Sequence, residues 1–253
     1  MMLGFEVLLI AGFIAVHLFK MARLYLVLME HRIPFGRFVL LYFRTTFVNL
    51  IVPFKLGEIY RVEEIARETR VWQVGLLSVL VDRYFDIAAL VVLLLPLDLF
   101  FGGRLSVITI VFVVVILAVA FVYMKFPPSY TYLNRYLIMR RASSRSMAAL
   151  KGLDVTKNWY DFTKKLITGR SALIVAASFL GWICEIVTLW AVAAVTGLSF
   201  GLGDFPGYIE AIFVTGSSDL MRTYTNSTAF AFLVLTIVGY ACKLLFGRRK
   251  DRV

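Results

Sequence analysis

Histidine and cysteine are nearly absent from this chain. With two of each in 253 residues, His17, His31, Cys184 and Cys242 have no spacing that holds zinc or haem. Both cysteines sit in apolar runs, where they read as small packing residues rather than a disulfide. Charge is also scarce, at 17% Asp, Glu, Lys and Arg, and proline occurs only six times. A water-soluble domain needs far more polar surface than that. Hydrophobic residues instead make up 60% of the chain, and the mean hydropathy is +0.84. The sequence is that of an integral membrane protein.

The charges that remain are lopsided, with 27 Lys and Arg against 16 Asp and Glu. An excess of +11 raises nucleic acid as a partner. The distribution argues for a membrane instead: nine basic residues lie in 127–170, and Arg248, Arg249, Lys250 and Arg252 cluster at the end. Basic segments between apolar spans follow the positive-inside rule, which puts both in the cytoplasm against anionic lipid. No nucleic acid is expected. The expected location is the inner or plasma membrane, multi-pass, with a cytoplasmic C-terminus.

A spanning helix needs about 20 apolar residues. Leu3–Phe19 (running on toward Met29), Gln73–Leu99, Leu105–Phe126, Ser171–Leu198 and Ser227–Phe246 qualify. The first has neither a basic leader nor a small-residue cleavage site, and reads as a span rather than a signal peptide. It should deliver Lys20, Arg23, Arg32 and Arg37 to the cytoplasm. Two further apolar stretches are broken near their middles: 38–65 by Pro53 and Gly57, and 208–225 by Gly216-Ser217-Ser218. Both suit half-helix pairs that enter the membrane and return, one from each face.

The two broken stretches also align without gaps, Gly57-Glu58-x-x-Arg61 falling on Ser218-Asp219-x-x-Arg222. The expected fold is therefore an all-α polytopic helical bundle with two re-entrant hairpins in an inverted repeat. Its parts are a first repeat 1–126 with hairpin 38–65, a basic connector 127–170, and a second repeat 171–253 with re-entrant segment 208–225.

Ionisable groups at bilayer depth each cost about 2.5–3.5 kcal/mol on insertion scales, so they persist where paired or facing a hydrated cavity. Glu58 and Arg61 lie three apart on one helical face. Asp82 and Asp86 share another, with Arg83 beside them. One reading is a lipid head-group site of Asn49, Lys55, Glu58, Arg61, Asp82, Arg83 and Asp86, in which arginine grips phosphate with its forked donors. The other is a structural ion network, with Lys55 merely snorkelling. Glu185, alone in its span, needs a proton or a partner such as Arg222, and forms a second-half counterpart with Asp219 and Arg222. Arg83 should face inward, near Glu58.

The pattern Asn49…Pro53…Gly57-Glu58…Arg61 followed by Asp82-Arg83-x-x-Asp86 resembles the signature of the lysylphosphatidylglycerol synthase transmembrane family, flippase-like integral membrane proteins. The resemblance covers about residues 38–90 well. The second half departs: in place of a Pro-Gly-Gly-like turn and a Gly-x-x-Glu motif stand Gly207, Glu210 and Gly216-Ser217-Ser218-Asp219. The resemblance implies lipid handling, and the chain shows no aminoacyl-transferase domain to supply synthase chemistry. The expected function is a flippase for an anionic phospholipid or polyprenyl-phosphate-linked glycolipid, without cofactor or metal and not an enzyme. The alternatives are a membrane accessory or enzyme subunit for cell-envelope glycolipid synthesis, with a glycosyltransferase or synthase docked on the basic loop 127–170, and a small-ion transporter. The sequence leaves a homo-oligomer open.

Overall fold

The structure, a computed structural model, describes the backbone of residues 2–52, 56–139, 144–212 and 219–250. It is almost wholly helical, with no strand among the described residues. In chain order the helices are α1 (Met2–Leu28), α2 (Phe35–Ile51), α3 (Gly57–Thr69), α4 (Trp72–Leu97), α5 (Val107–Met139), α6 (Ser144–Ile167), α7 (Ser171–Thr196), α8 (Phe205–Glu210) and α9 (Asp219–Lys250). Five stretches are long and apolar enough to cross a membrane: Leu9–His31, Trp72–Gly102, Val107–Met139, Ser171–Thr196 and Asp219–Ala241. They coincide with the five spans that hydropathy singles out.

Local chemistry sets the ends. Arg32 and Arg70 adopt left-handed backbone after α1 and α3, while Pro34 precedes the first turn of α2. Pro96 stands in the last turn of α4, which passes into a π turn at Asp98–Gly102. The buried Asp98 carboxylate then accepts the Ser106 amide at 2.9 Å, beside the start of α5.

The longest packing seam runs between α1 and α7, and α4 lies against both. Leu90 and Leu94 of α4 meet Trp182 and Leu189 of α7 with Phe205 and Ile209 of α8 in one apolar core. A second core joins Leu24 of α1, Phe38 and Tyr42 of α2, Ile65 of α3 and Phe232 of α9. Segment 38–65 is thus two helices, α2 and α3, in contact with each other on either side of the break. Pro53 and Lys55 lie outside the described residues, as do Gly216, Ser217 and Ser218.

The connector 127–170 is not irregular. α5 runs on through Pro127 and Pro128 to Met139, and α6 returns beside it, with Phe126 stacked on Tyr160 at 4.8 Å and Tyr123 4.9 Å from the same ring. Only the first three turns of α5 contribute buried residues, among them Ile108 and Phe112. Segment 208–225 likewise splits between α8 and the start of α9.

Two glycines allow the backbones near the polar centre to touch. A Cβ on Gly57 would stand 2.3 Å from Asn49 Cα, and one on Gly75 would stand 2.3 Å from Val62 O. Both obstacles are backbone, so relief requires moving a helix. Gly57→Ala and Gly75→Ala should each destabilise the protein by about 1–3 kcal/mol. Gly152→Ala on α6, where nothing lies within 4 Å, should instead stabilise it by about 0.5–1 kcal/mol. Thermal unfolding in detergent checks this, and equal midpoints for all three variants would refute the close-approach account.

Candidate functional site

The centre of the molecule is a chain of ion pairs across four helices, α1, α3, α4 and α7, with α2 joined to it by hydrogen bonds. It begins on α1, where His17, Lys20 and Arg23 recur every three residues and so share one face. Arg23, 2% exposed, was expected at the cytoplasmic end of its helix, and the structure buries it instead. Its Nε donates to Asp82 Oδ1 at 2.6 Å and its Nη2 to Asp82 Oδ2 at 3.3 Å, while Nη1 reaches Asp86 Oδ1 at 2.5 Å. Asp82 stands ten residues into α4, roughly 15 Å along its axis. At that depth the carboxylates need cations, and Arg23 serves both. α7 closes the arrangement: Ser178 Oγ lies 3.4 Å from Arg23 Nη1, and Trp182 Nε1 donates to the Asp86 carbonyl at 3.0 Å.

With Asp82 and Asp86 held from α1, Arg83 is directed to the other side. It forms an ion pair with Glu58 of α3 through Nη2 and reaches Asp86 Oδ2 at 3.2 Å through Nη1. Arg83 therefore faces inward, against Glu58, as the cost of a lipid-facing guanidinium requires. Glu58 also accepts Asn49 Nδ2 of α2 at 2.8 Å and Arg61 Nη1 at 3.4 Å; Arg61 in turn lies 3.4 Å from Thr46 Oγ1. Of the expected first-half residues, Asn49, Glu58, Arg61, Asp82, Arg83 and Asp86 come together. Lys55 lies outside the described residues.

The second-half set does not assemble as expected. Glu185 has a partner, but it is Lys20 at 2.5 Å rather than Arg222. Lys20 also stands 5.4 Å over the Trp182 ring. Asp219 and Arg222 are exposed at the start of α9, outside the described network. The reason is geometric: α1 lies along α7, so the nearest cation to Glu185 comes from the far end of the sequence.

His17, Lys20 and Arg23 are thus members of the site, although the hydropathy reading sends Lys20 and Arg23 to the cytoplasm and gives His17 no role. The three-residue spacing was the available signal, a polar stripe inside a hydrophobic helix. His17 Nδ1 shares a hydrogen bond with Tyr42 OH at 3.2 Å, and its ring lies 4.5 Å from Phe232.

Between α1, α2, α3 and α4 these side chains enclose a cavity of about 120 Å³. Lys20, Arg23, Arg61 and Arg83 present cations to it, with Asp82 the carboxylate on its wall. Arg61 Nε, Arg83 Nε, His17 Nε2 and Asn49 Oδ1 are buried there without a hydrogen-bond partner among the described residues. Two guanidinium side chains lining one cavity, each with an unpaired Nε, suit an anionic oxygen group. Among the described residues no group of three or more His, Cys, Asp and Glu is placed to hold a metal. A separate network lies further along α3, where Glu64 pairs with Arg44 of α2 and Arg67 with Glu63 at 2.6 Å; Arg44 also reaches Tyr240 OH of α9 at 3.1 Å.

Arg23→Ala should strand two buried carboxylates and cost on the order of 3–5 kcal/mol. Replacing the set together, Arg23→Met with Asp82→Asn and Asp86→Asn, should recover most of that loss. Unfolding midpoints in detergent decide the matter, and a wild-type midpoint for Arg23→Ala alone would contradict the assignment of Arg23 as the shared counter-ion.

No curated protein matches this chain, nor does any solved structure. One family model does, that of the lysylphosphatidylglycerol synthase transmembrane region, and it covers residues 2–218. That range takes in α1 to α8 and every ion pair of the central network, so the chain belongs to the lysylphosphatidylglycerol synthase transmembrane-region family.

Proposed function

We propose that this protein moves a phosphate-bearing lipid, an anionic phospholipid or polyprenyl-phosphate-linked glycolipid, between the leaflets of the inner or plasma membrane. The observation that carries the reading is the pair Arg61 and Arg83, which line one polar cavity and each keep a buried Nε without a hydrogen-bond partner among the described residues. Arg83 is 34% exposed at its side chain, so the cavity is reachable. A lipid phosphate there meets two forked donors while its acyl chains remain among the apolar faces of the helices. The family is one of lipid-related membrane regions, which supports the same substrate class.

In this reading α2 and α3 form a re-entrant hairpin dipping from the cytoplasmic side, and the region around α8 and the start of α9 forms the inverted counterpart. The first helix runs inward, leaving the C-terminus and the α5–α6 hairpin in the cytoplasm. The protein acts as a transporter rather than an enzyme.

A second reading, an accessory to envelope glycolipid synthesis, is favoured by one observation. The distal part of the α5–α6 hairpin exposes Tyr132, Met139 and Met147 close to Arg135 and Lys151. Apolar side chains set among basic ones suit a protein partner such as a glycosyltransferase or synthase. Capture of such an enzyme in stoichiometric amount, lost when Tyr132 and Met139 are changed to Ser, is its signature.

Reconstitution tests the first reading. Purified protein in liposomes should accelerate leaflet exchange of fluorescent phosphatidylglycerol or of a polyprenyl phosphate. Arg83→Lys keeps the charge but loses the fork, so it should retain the fold and lose most of the exchange. Normal exchange by Arg83→Lys would reduce this residue to a counter-ion, and no acceleration of any phosphate lipid by wild type would end the transporter reading.

A further inference from the structure

The cavity's attraction for an anion faces a difficulty of charge. Eight ionisable side chains make up the central network: Lys20, Arg23, Arg61 and Arg83 against Glu58, Asp82, Asp86 and Glu185. Counting His17 as the neutral imidazole bonded to Tyr42, four positive and four negative charges cancel. A phosphodiester added to this set brings one negative charge that no described residue offsets, and an uncompensated charge inside the membrane is expensive.

The geometry selects the carboxylate that must give way. Asp82 and Asp86 are clamped by Arg23, whose side chain is 3% exposed. Glu185 is held by Lys20. Glu58 differs, because its two cations, Arg61 and Arg83, both line the cavity and each keeps an Nε without a hydrogen-bond partner among the described residues. An anion seated between them takes over the donors that Glu58 uses. Glu58 then keeps Asn49, a neutral amide.

Among the described residues no neighbouring group relieves it. On α2, Thr46 and Tyr42 offer neutral hydroxyls; on α1, Lys20 and Arg23 are committed to Glu185 and to the Asp82–Asp86 pair. On α4, Asp82 and Asp86 carry the same sign as Glu58, and on α7 so does Glu185. Glu58 is half-buried, with its side chain 18% exposed, and a carboxylate so placed and stripped of both cations is favoured as the acid.

We propose that each phosphate head group enters the cavity together with one proton, which Glu58 carries. The loaded site is again neutral. This rests on the phosphate-lipid reading above and adds to it the driving force. The proton comes from water on the loading side. When the phosphate leaves on the other side, Arg83 and Arg61 return to Glu58 and the proton is released there. No bond in the lipid is made or broken, and the lipid anion and its proton cross as an electroneutral pair.

Proteoliposomes of phosphatidylcholine containing fluorescent phosphatidylglycerol test this with the full chain. Either a pH gradient or a potassium–valinomycin potential is imposed while leaflet exchange is followed. Wild type should respond severalfold to the pH gradient and not to the potential, since the moving pair has no net charge. Glu58→Gln should lose the pH response and become sensitive to the potential, because the lipid then crosses with its charge uncompensated. Glu58→Asp keeps a titratable group and should keep the pH response. Wild-type exchange driven by the potential and indifferent to the pH gradient would overturn proton coupling while leaving lipid transport standing, whether or not the variants fold. The assay is repeated with a fluorescent polyprenyl phosphate, and absence of exchange of either lipid under both gradients would remove the phosphate-lipid reading and this inference with it.

Discussion

The fold turns on one guanidinium. Arg23 satisfies Asp82 along one edge and Asp86 along the other, at a depth where any one of the three alone carries a penalty of several kcal/mol. Only a planar, forked donor set reaches two carboxylates one helical turn apart. Once that contact forms, the rotation of α1 against α4 is fixed, and Ser178 and Trp182 tie the same point to α7. The remaining oxygen of Asp86 faces Arg83, which sets Arg83 toward Glu58 and thereby seats α3.

Apolar contact alone does not give this precision. Lipid tails are as hydrophobic as leucine, so membrane helices associate through close backbone approach and polar pairing. Both devices meet at the centre here. Gly57 lets α3 close on α2 at Asn49, and Gly75 lets α4 close on α3 at Val62. The polar pairs at Asn49–Glu58 and Glu58–Arg83 join the same three helices. The apolar cores around Phe38 and Phe205 flank this centre and add cohesion with less directional demand.

Much of this was legible in the sequence, for physical reasons that also mark the limits. The five spans follow from hydropathy because a run of about 20 apolar residues has few other uses. Asp82, Arg83 and Asp86 stood out because charge inside such a run is costly, and the same cost set Arg83 inward. Arg23 escaped notice because a basic residue near the end of a hydrophobic helix has a cheap alternative at the membrane surface. Glu185 plainly needed a partner, yet local sequence does not show that Lys20, 165 residues away, supplies it. The helical form of much of 127–170 was not legible, because prolines and scattered charges hide a period that the stacking of Phe126 and Tyr123 on Tyr160 makes plain.

Those prolines have a mechanical meaning. Pro127 and Pro128 have no amide hydrogen, so the carbonyls of Tyr123 and Met124, one turn earlier, receive no helical bond from them. The helix is continuous there in shape but not in stiffness, and it bends at that point more cheaply than elsewhere along its 33 residues. The soft joint falls where the apolar run ends. A load on the outer arm of α5 and α6 is therefore absorbed at the joint, and the register of the buried ion pairs is insulated from whatever pulls on that arm.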